Sequence, residues 1–128
     1  MMSQTKILLV DDEVEFASAL AERLQMRDYD VKTASNGLEA MALFHGSPPD
    51  IVILDLRIPG MDGLEILKNI KIFDPTIEVL ILTGHGDVES VAEGMKSGAF
   101  EYIMKPIDIA ELTSKIDMAM KKRISSRD

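Results

Sequence analysis

Asp11-Asp12, Asp55, Thr83 and Lys105 are the residues whose types could do chemistry together. Each stands where an apolar run stops. Lys6-Ile-Leu-Leu-Val10 runs into the paired acids, Ile51-Val-Ile-Leu54 into Asp55, Ile77 to Leu82 into Thr83, and Phe100 to Met104 into Lys105. Carboxylates in close quarters repel and raise one another's pKa values. A divalent cation relieves that strain. Hard oxygen ligands suit Mg²⁺, which typically takes one or two carboxylates and keeps several waters. With an amine and a hydroxyl beside it, such a centre is a layout for handling a phosphoryl group. The metal and Lys105 neutralise its oxygens, Thr83 donates to one, and Asp55 attacks in line to form an aspartyl phosphate.

Taken singly, each residue has a plainer reading. Asp12 with Glu15 three residues on is a capping box for the first helix, which does not exclude a metal role for Asp11. A lone acid at a strand end more often starts a loop than attacks a substrate. Thr83 is an ordinary strand former, Lys105 a solvated charge and His85 a loop residue. The conjunction carries the argument, because four separate strand ends bear the right groups.

Those groups meet only if the chain folds as a parallel sheet. Ile51 to Leu54 is four apolar residues in a row, the pattern of a central strand buried on both faces. Asp55 then sits at its carboxyl end, where open α/β sheets keep their binding crevice. The following loop, Leu56 to Gly63, is punctuated by Pro59, Gly60 and Gly63. Strands are expected at Lys6–Val10, Tyr29–Ala34, Ile51–Leu54, Ile77–Leu82 and Phe100–Met104. Helices should bury Ala17, Leu20, Ala21 and Leu24; Leu38, Met41 and Ala42; Ile66, Leu67 and Ile70; Val88, Val91, Ala92, Met95 and Ala99; and Ile109, Leu112, Ile116 and Met120. Asp87 and Asp108 read as N-caps, Gly98 as a helix stop, and Lys121-Lys122-Arg123 as charges facing a helix's negative end. Strict alternation of five strands and five helices predicts a doubly wound parallel sheet of flavodoxin-like order 2-1-3-4-5. Residues 1–123 form one domain, and 124–128 a tail or the start of a linker.

Composition narrows the function. At 128 residues, 46% hydrophobic and 28% charged, the chain is a globular domain with a real core. The net charge of −8 argues against direct nucleic-acid binding, which needs a basic surface. No apolar run approaches the roughly 20 residues of a membrane span. With no cysteine and no apolar export segment at its start, a cytoplasmic location is expected. Among nine methionines, Met95 and Met104 read first as core filling and second as adaptable surface.

Asp11-Asp12, Leu54-Asp55, Pro59-Gly-Met-Asp-Gly63, Thr83 and Lys105-Pro106 together resemble the receiver domain of bacterial two-component response regulators. The resemblance spans Lys6 to Arg123. It implies that Asp55 accepts a phosphoryl group from a phosphohistidine on a sensor kinase or phosphotransfer protein. It implies Mg²⁺ held by Asp11, Asp12, Asp55 and the Arg57 backbone carbonyl. Lys105 would contact the phosphoryl oxygens, and Thr83 and Tyr102 match the family's switch pair. Arg57 and His85 occupy positions thought to tune loss of the phosphoryl group, and Gly84 stands where the family commonly has Ala. Thr83-Gly-His-Gly-Asp-Val and Met95-Lys-Ser-Gly-Ala-Phe100 are most similar to receivers of the NtrC type, which precede ATPase and DNA-binding modules. Neither module stands in these residues, so a stand-alone receiver and a piece of a longer regulator both remain open. So does pairing of two copies on phosphorylation.

The resemblance implies a signalling domain that assists its own phosphorylation and dephosphorylation, not a metabolic enzyme, acting on a downstream effector. A pseudo-receiver that only docks is the competing reading, against which the intact acids, Thr83 and Lys105 speak. An aspartyl phosphatase would want a second Asp two residues after the first, where Arg57 stands. Flavin binding lacks a hydroxyl- and glycine-rich loop after the first strand.

Overall fold

The computed structural model describes residues 4–84 and 88–127. His85 and the proposed cap Asp87 lie outside the described residues. Ten elements alternate: β1 (Lys6–Val10), α1 (Val14–Gln25), β2 (Asp30–Ala34), α2 (Gly37–Gly46), β3 (Ile51–Asp55), α3 (Gly63–Phe73), β4 (Glu78–Thr83), α4 (Val88–Lys96), β5 (Glu101–Met104) and α5 (Ile109–Arg127). The strands are all parallel in the order β2-β1-β3-β4-β5, the flavodoxin-like order expected.

Side chains alternate across a strand, so each strand feeds two cores. Ile7, Leu9, Ile51, Ile53, Leu80, Leu82 and Ile103 face α1 and α5. Leu8, Val10, Val52, Leu54, Val79 and Ile81 face α2 and α3. β3 and β4 are buried on both faces, which is why they read as unbroken apolar runs. The same parity continues past the strand ends. Asp11 follows Leu9, Asp55 follows Ile53 and Lys105 follows Ile103, all on the α1/α5 side. Thr83 falls in step with Ile81, and Tyr102 and Met104 alternate with Ile103, on the other side.

The helix faces divide. α1 buries Ala17, Leu20, Ala21 and Leu24, and α3 buries Ile66, Leu67 and Ile70, as their spacing predicts. α2 does not follow its expected stripe: Gly37, Ala40 and Phe44 are buried, while Leu38 is exposed. The expected stripe on α4 is only partly covered: Ala99 is buried and Val91 packs against the core, but Val88 is 78% exposed, Ala92 and Met95 lie at the surface, and Gly94 is the residue of α4 that is buried. Met95 and Met104 are accordingly on the surface rather than in the core. The Asp12–Glu15 capping box does not form. Glu13 takes the N-cap position of α1 without a side-chain cap. Asp108 does cap α5, accepting from Ala110 N at 2.9 Å.

α5 runs on to Arg127, so the residues read as a tail continue the helix. Nor does Arg123 serve a helix end. It is 6% exposed and reaches the strand starts opposite the acid cluster. Its Nε donates to Asp50 Oδ1 at 3.1 Å, and its Nη1 contacts Asp74 Oδ2 at 3.5 Å and donates to Thr76 Oγ1. Asp50 Oδ2 in turn accepts from the backbone N–H of Lys6 at 2.9 Å. One guanidinium thus ties α5 to the entries of β1, β3 and β4. Asp74 is held below the ordinary carboxylate range: burial pushes it up, but the Thr76 hydroxyl and N–H and the Arg123 charge outweigh that.

Candidate functional site

Register and parity bring the acids of two strand ends together. β1 and β3 are neighbours, with Val10 opposite Leu54, so the residues after them meet at one rim. Carboxylate oxygens of Asp11, Asp12 and Asp55 lie within 4.8 Å of one another. Asp11 is 1% exposed and Asp12 lies at the surface. The chain turns tightly over this rim. Glu13 N–H donates to Asp11 Oδ1 at 2.9 Å, and Arg57 N–H donates to Asp55 Oδ1 at 2.8 Å. Gly63 lets the loop after β3 fold back, because a Cβ there would stand 2.6 Å from the Leu56 backbone. Asp62 closes that loop by capping α3, accepting from Leu64 N at 2.9 Å.

Lys105 completes the cluster. Its Nζ lies 2.6 Å from Glu13 Oε1, 2.9 Å from Asp11 Oδ2 and 3.6 Å from Asp55 Oδ2. The Phe16 ring stands behind it, 4.5 Å from the ammonium. Burial pulls the Lys105 pKa down, but the hydrogen bond to Glu13, the adjoining Asp11 carboxylate and the charge of Asp55 outweigh it and hold the amine protonated. Asp11 is raised above the usual carboxylate value, chiefly by burial, with Lys105 and the Glu13 N–H pulling the other way.

The donor set fits a hard divalent ion. Three carboxylates converge, and Asp11 Oδ2 is buried without a hydrogen-bond partner. Lys105 is close to that oxygen but off the alignment of a hydrogen bond, so a lone pair stays available.

Thr83 and Tyr102 lie on the other face. Both line a groove of about 340 Å³ with Val88, Val91, Met95 and Met104. The Thr83 hydroxyl donates to its neighbour's carbonyl, Gly84 O, at 3.1 Å. Tyr102 is 41% exposed, and Lys115 Nζ donates to its carbonyl at 3.1 Å while standing 5.9 Å from its ring centroid. The exposed apolar stripe of α4 is one wall of this groove. Of the residues marked in the sequence, the structure gathers Asp11, Asp12, Asp55 and Lys105 into one cluster, with the Arg57 backbone beside it. It puts Thr83 and Tyr102 together in the groove. Glu13 is a member of this site that the sequence does not mark. Its role depends on Lys105, 92 residues away.

Known proteins resemble this chain in sequence and fold. The family described as "Response regulator receiver domain" matches residues 7–117. Sporulation initiation phosphotransferase F of Bacillus subtilis is 39% identical, over 90% of this chain and 93% of that protein. The transcriptional regulatory protein ZraR of Klebsiella oxytoca is also 39% identical, over 91% of this chain but 26% of that protein. The chain thus spans nearly all of one curated relative and about a quarter of another. A receiver domain from Clostridium thermocellum superposes with a TM-score of 0.88 at 36% identity, covering 93% of this chain and 96% of that one. Among the described residues no helix is long and apolar enough to cross a membrane. The sequence match and the strand order agree, and the chain belongs to the response regulator receiver domain family.

Proposed function

We propose that this receiver domain is a phosphoacceptor and that Asp55 carries the phosphoryl group. The observation that carries the reading is the convergence of Asp11, Asp12 and Asp55 with Lys105 at a single strand-end rim. An Asp55 carboxylate oxygen attacks the phosphorus of a phosphohistidine on a sensor kinase or phosphotransfer protein. The P–N bond breaks, its electron pair leaves with the imidazole, and an acyl phosphate remains on Asp55. Asp11, Asp12, Asp55 and the Arg57 carbonyl would hold Mg²⁺, which would neutralise charge on the phosphoryl oxygens. Lys105 adds a second positive charge at the same rim. Arg57 slows water's access to the product.

The response follows from what the new group offers. It adds charge and strong acceptors at the sheet edge. The Thr83 hydroxyl exchanges the Gly84 carbonyl for a phosphoryl oxygen, and the Tyr102 ring turns into the groove it now borders. This changes the apolar face of α4 and β5, which a downstream effector reads. In this scheme the domain works in the cytoplasm and assists its own phosphorylation and hydrolysis, and pairing of two copies is a second way to use the same face.

Incubation with Mg²⁺ and acetyl phosphate tests the reading. The intact mass should rise by one phosphoryl group, and Asp55→Asn should abolish the rise. No gain in the unaltered chain, or an equal gain in Asp55→Asn, rejects the assignment.

A further inference from the structure

We propose that Glu13 is a positioning residue that holds Lys105 in a resting place, so that the ammonium must change partners before it engages a phosphoryl group on Asp55. The proposal rests on Asp55 being the phosphoacceptor. Three distances carry it. Lys105 Nζ is closest to Glu13 Oε1 at 2.6 Å, next to Asp11 Oδ2 at 2.9 Å and farthest from Asp55 Oδ2 at 3.6 Å. The last exceeds hydrogen-bond range, so the amine is drawn off the nucleophile toward the start of α1. An ammonium has three donors, and the Phe16 ring occupies another side of this one.

Of its two near carboxylates, Glu13 is the one that can let go. Asp11 is buried and fixed by the Glu13 N–H. The Glu13 side chain is 63% exposed, so it can swing into water at small cost while its backbone stays put. Glu13 also stands outside the convergent set Asp11, Asp12 and Asp55. Its carboxylate is therefore a competitor for the lysine rather than a member of the acid cluster. The exchange sets a threshold: Lys105 reaches the phosphoryl oxygens only when they outbid an exposed ion pair.

The test compares Glu13→Gln with Glu15→Gln, which removes an exposed acid of the same helix turn. Phosphorylation by acetyl phosphate at saturating Mg²⁺ should be about two- to fivefold faster in Glu13→Gln, the scale of one exposed ion pair. It should be unchanged in Glu15→Gln. Without Mg²⁺ or phosphodonor, acylation of Lys105 by a small amine-reactive activated ester, read by peptide mass, should rise in Glu13→Gln alone. Equal rates and equal labelling across the three proteins overturn the proposal, as do equal gains in both variants, which would mark a general charge effect. If the unaltered chain takes up no phosphoryl group, the phosphoacceptor reading fails and this proposal with it. Uptake by the unaltered chain with no change in Glu13→Gln overturns the proposal alone.

Discussion

Replacing Asp55 by Asn separates what this carboxylate does for the fold from what it does for a metal ion. At an effective dielectric of about 20, the Lys105 charge 3.6 Å away attracts Asp55 by about 4.6 kcal/mol. At the 4.8 Å limit of the cluster, the Asp11 charge repels it by about 3.5 kcal/mol, and Asp12 adds a solvent-screened repulsion. The opposing contributions nearly cancel. The metal-free variant should therefore melt within about 4 °C of the parent, taking about 0.27 kcal/mol/K for the unfolding entropy of a chain this long. Mg²⁺ breaks the symmetry. On the proposed reading it would bind the folded cluster and not the unfolded chain, and at about a hundred times Kd it should stabilise by ~2.7 kcal/mol, or about 10 °C. Substitution of groups that merely support a ligand weakens metal affinity by roughly tenfold or more. Losing a charged ligand should do at least that, which at the same Mg²⁺ concentration leaves ~1.4 kcal/mol, or about 5 °C. The assay is a pair of thermal melts with and without MgCl₂ at matched ionic strength. Equal Mg²⁺ shifts in the two proteins would refute metal binding by Asp55. A metal-free melting change well beyond 4 °C would refute the near-cancellation.

Two further predictions concern the frame around the site. Arg123→Ala leaves Asp50 and Asp74 without their cation. Charged hydrogen bonds are worth ~1.5–3 kcal/mol, so, with both acids partly solvated, a loss of ~2–3 kcal/mol and a fall in Tm of about 7–11 °C are expected. Because the folded-state pKa of Asp74 is lowered, its stabilisation is complete above the unfolded value near 4 and fades as pH falls through the folded value. The gap between parent and variant should hold from pH 7 to 5 and narrow below about pH 4 in urea titrations; a gap that widens in acid contradicts the pairing. Gly63→Ala puts a methyl 2.6 Å from the Leu56 Cα and carbonyl oxygen, and overpacking of this kind costs ~1–3 kcal/mol. Since that turn carries Arg57, the variant should also bind Mg²⁺ more weakly in the same melts, and unaltered stability and metal response would reject the tight approach.

The sheet was legible in the sequence because its central strands are apolar on both faces and end in the groups that matter. α1 and α3 were legible because one clean stripe apiece meets the sheet. α2 misled because apolar residues stand all around it. Its buried contact is made by Gly37, Ala40 and Phe44, of which two are small enough to escape a search for large side chains. The α4 stripe is real as a pattern, but whether a neighbour covers it depends on packing that no local spacing encodes. Glu13 and Arg123 failed for a different reason. Their partners stand 92, 73 and 49 residues away, and a charge beside a helix end has a sufficient local explanation. The members of the cluster were readable from residue type, while the Glu13 carboxylate beside Lys105 was not.

β5 is four residues long, lies at the margin of the sheet and is laddered on one side only, to β4. It carries Tyr102 and Met104 toward the groove, and Lys105 follows directly on the reverse side. In the proposed scheme chemistry and readout are thus neighbours along one short peptide. A tug on the amine is felt by the adjoining residues through covalent bonds, with no relay of side chains to traverse, and a strand moored along one flank yields to such a tug more readily than any interior one.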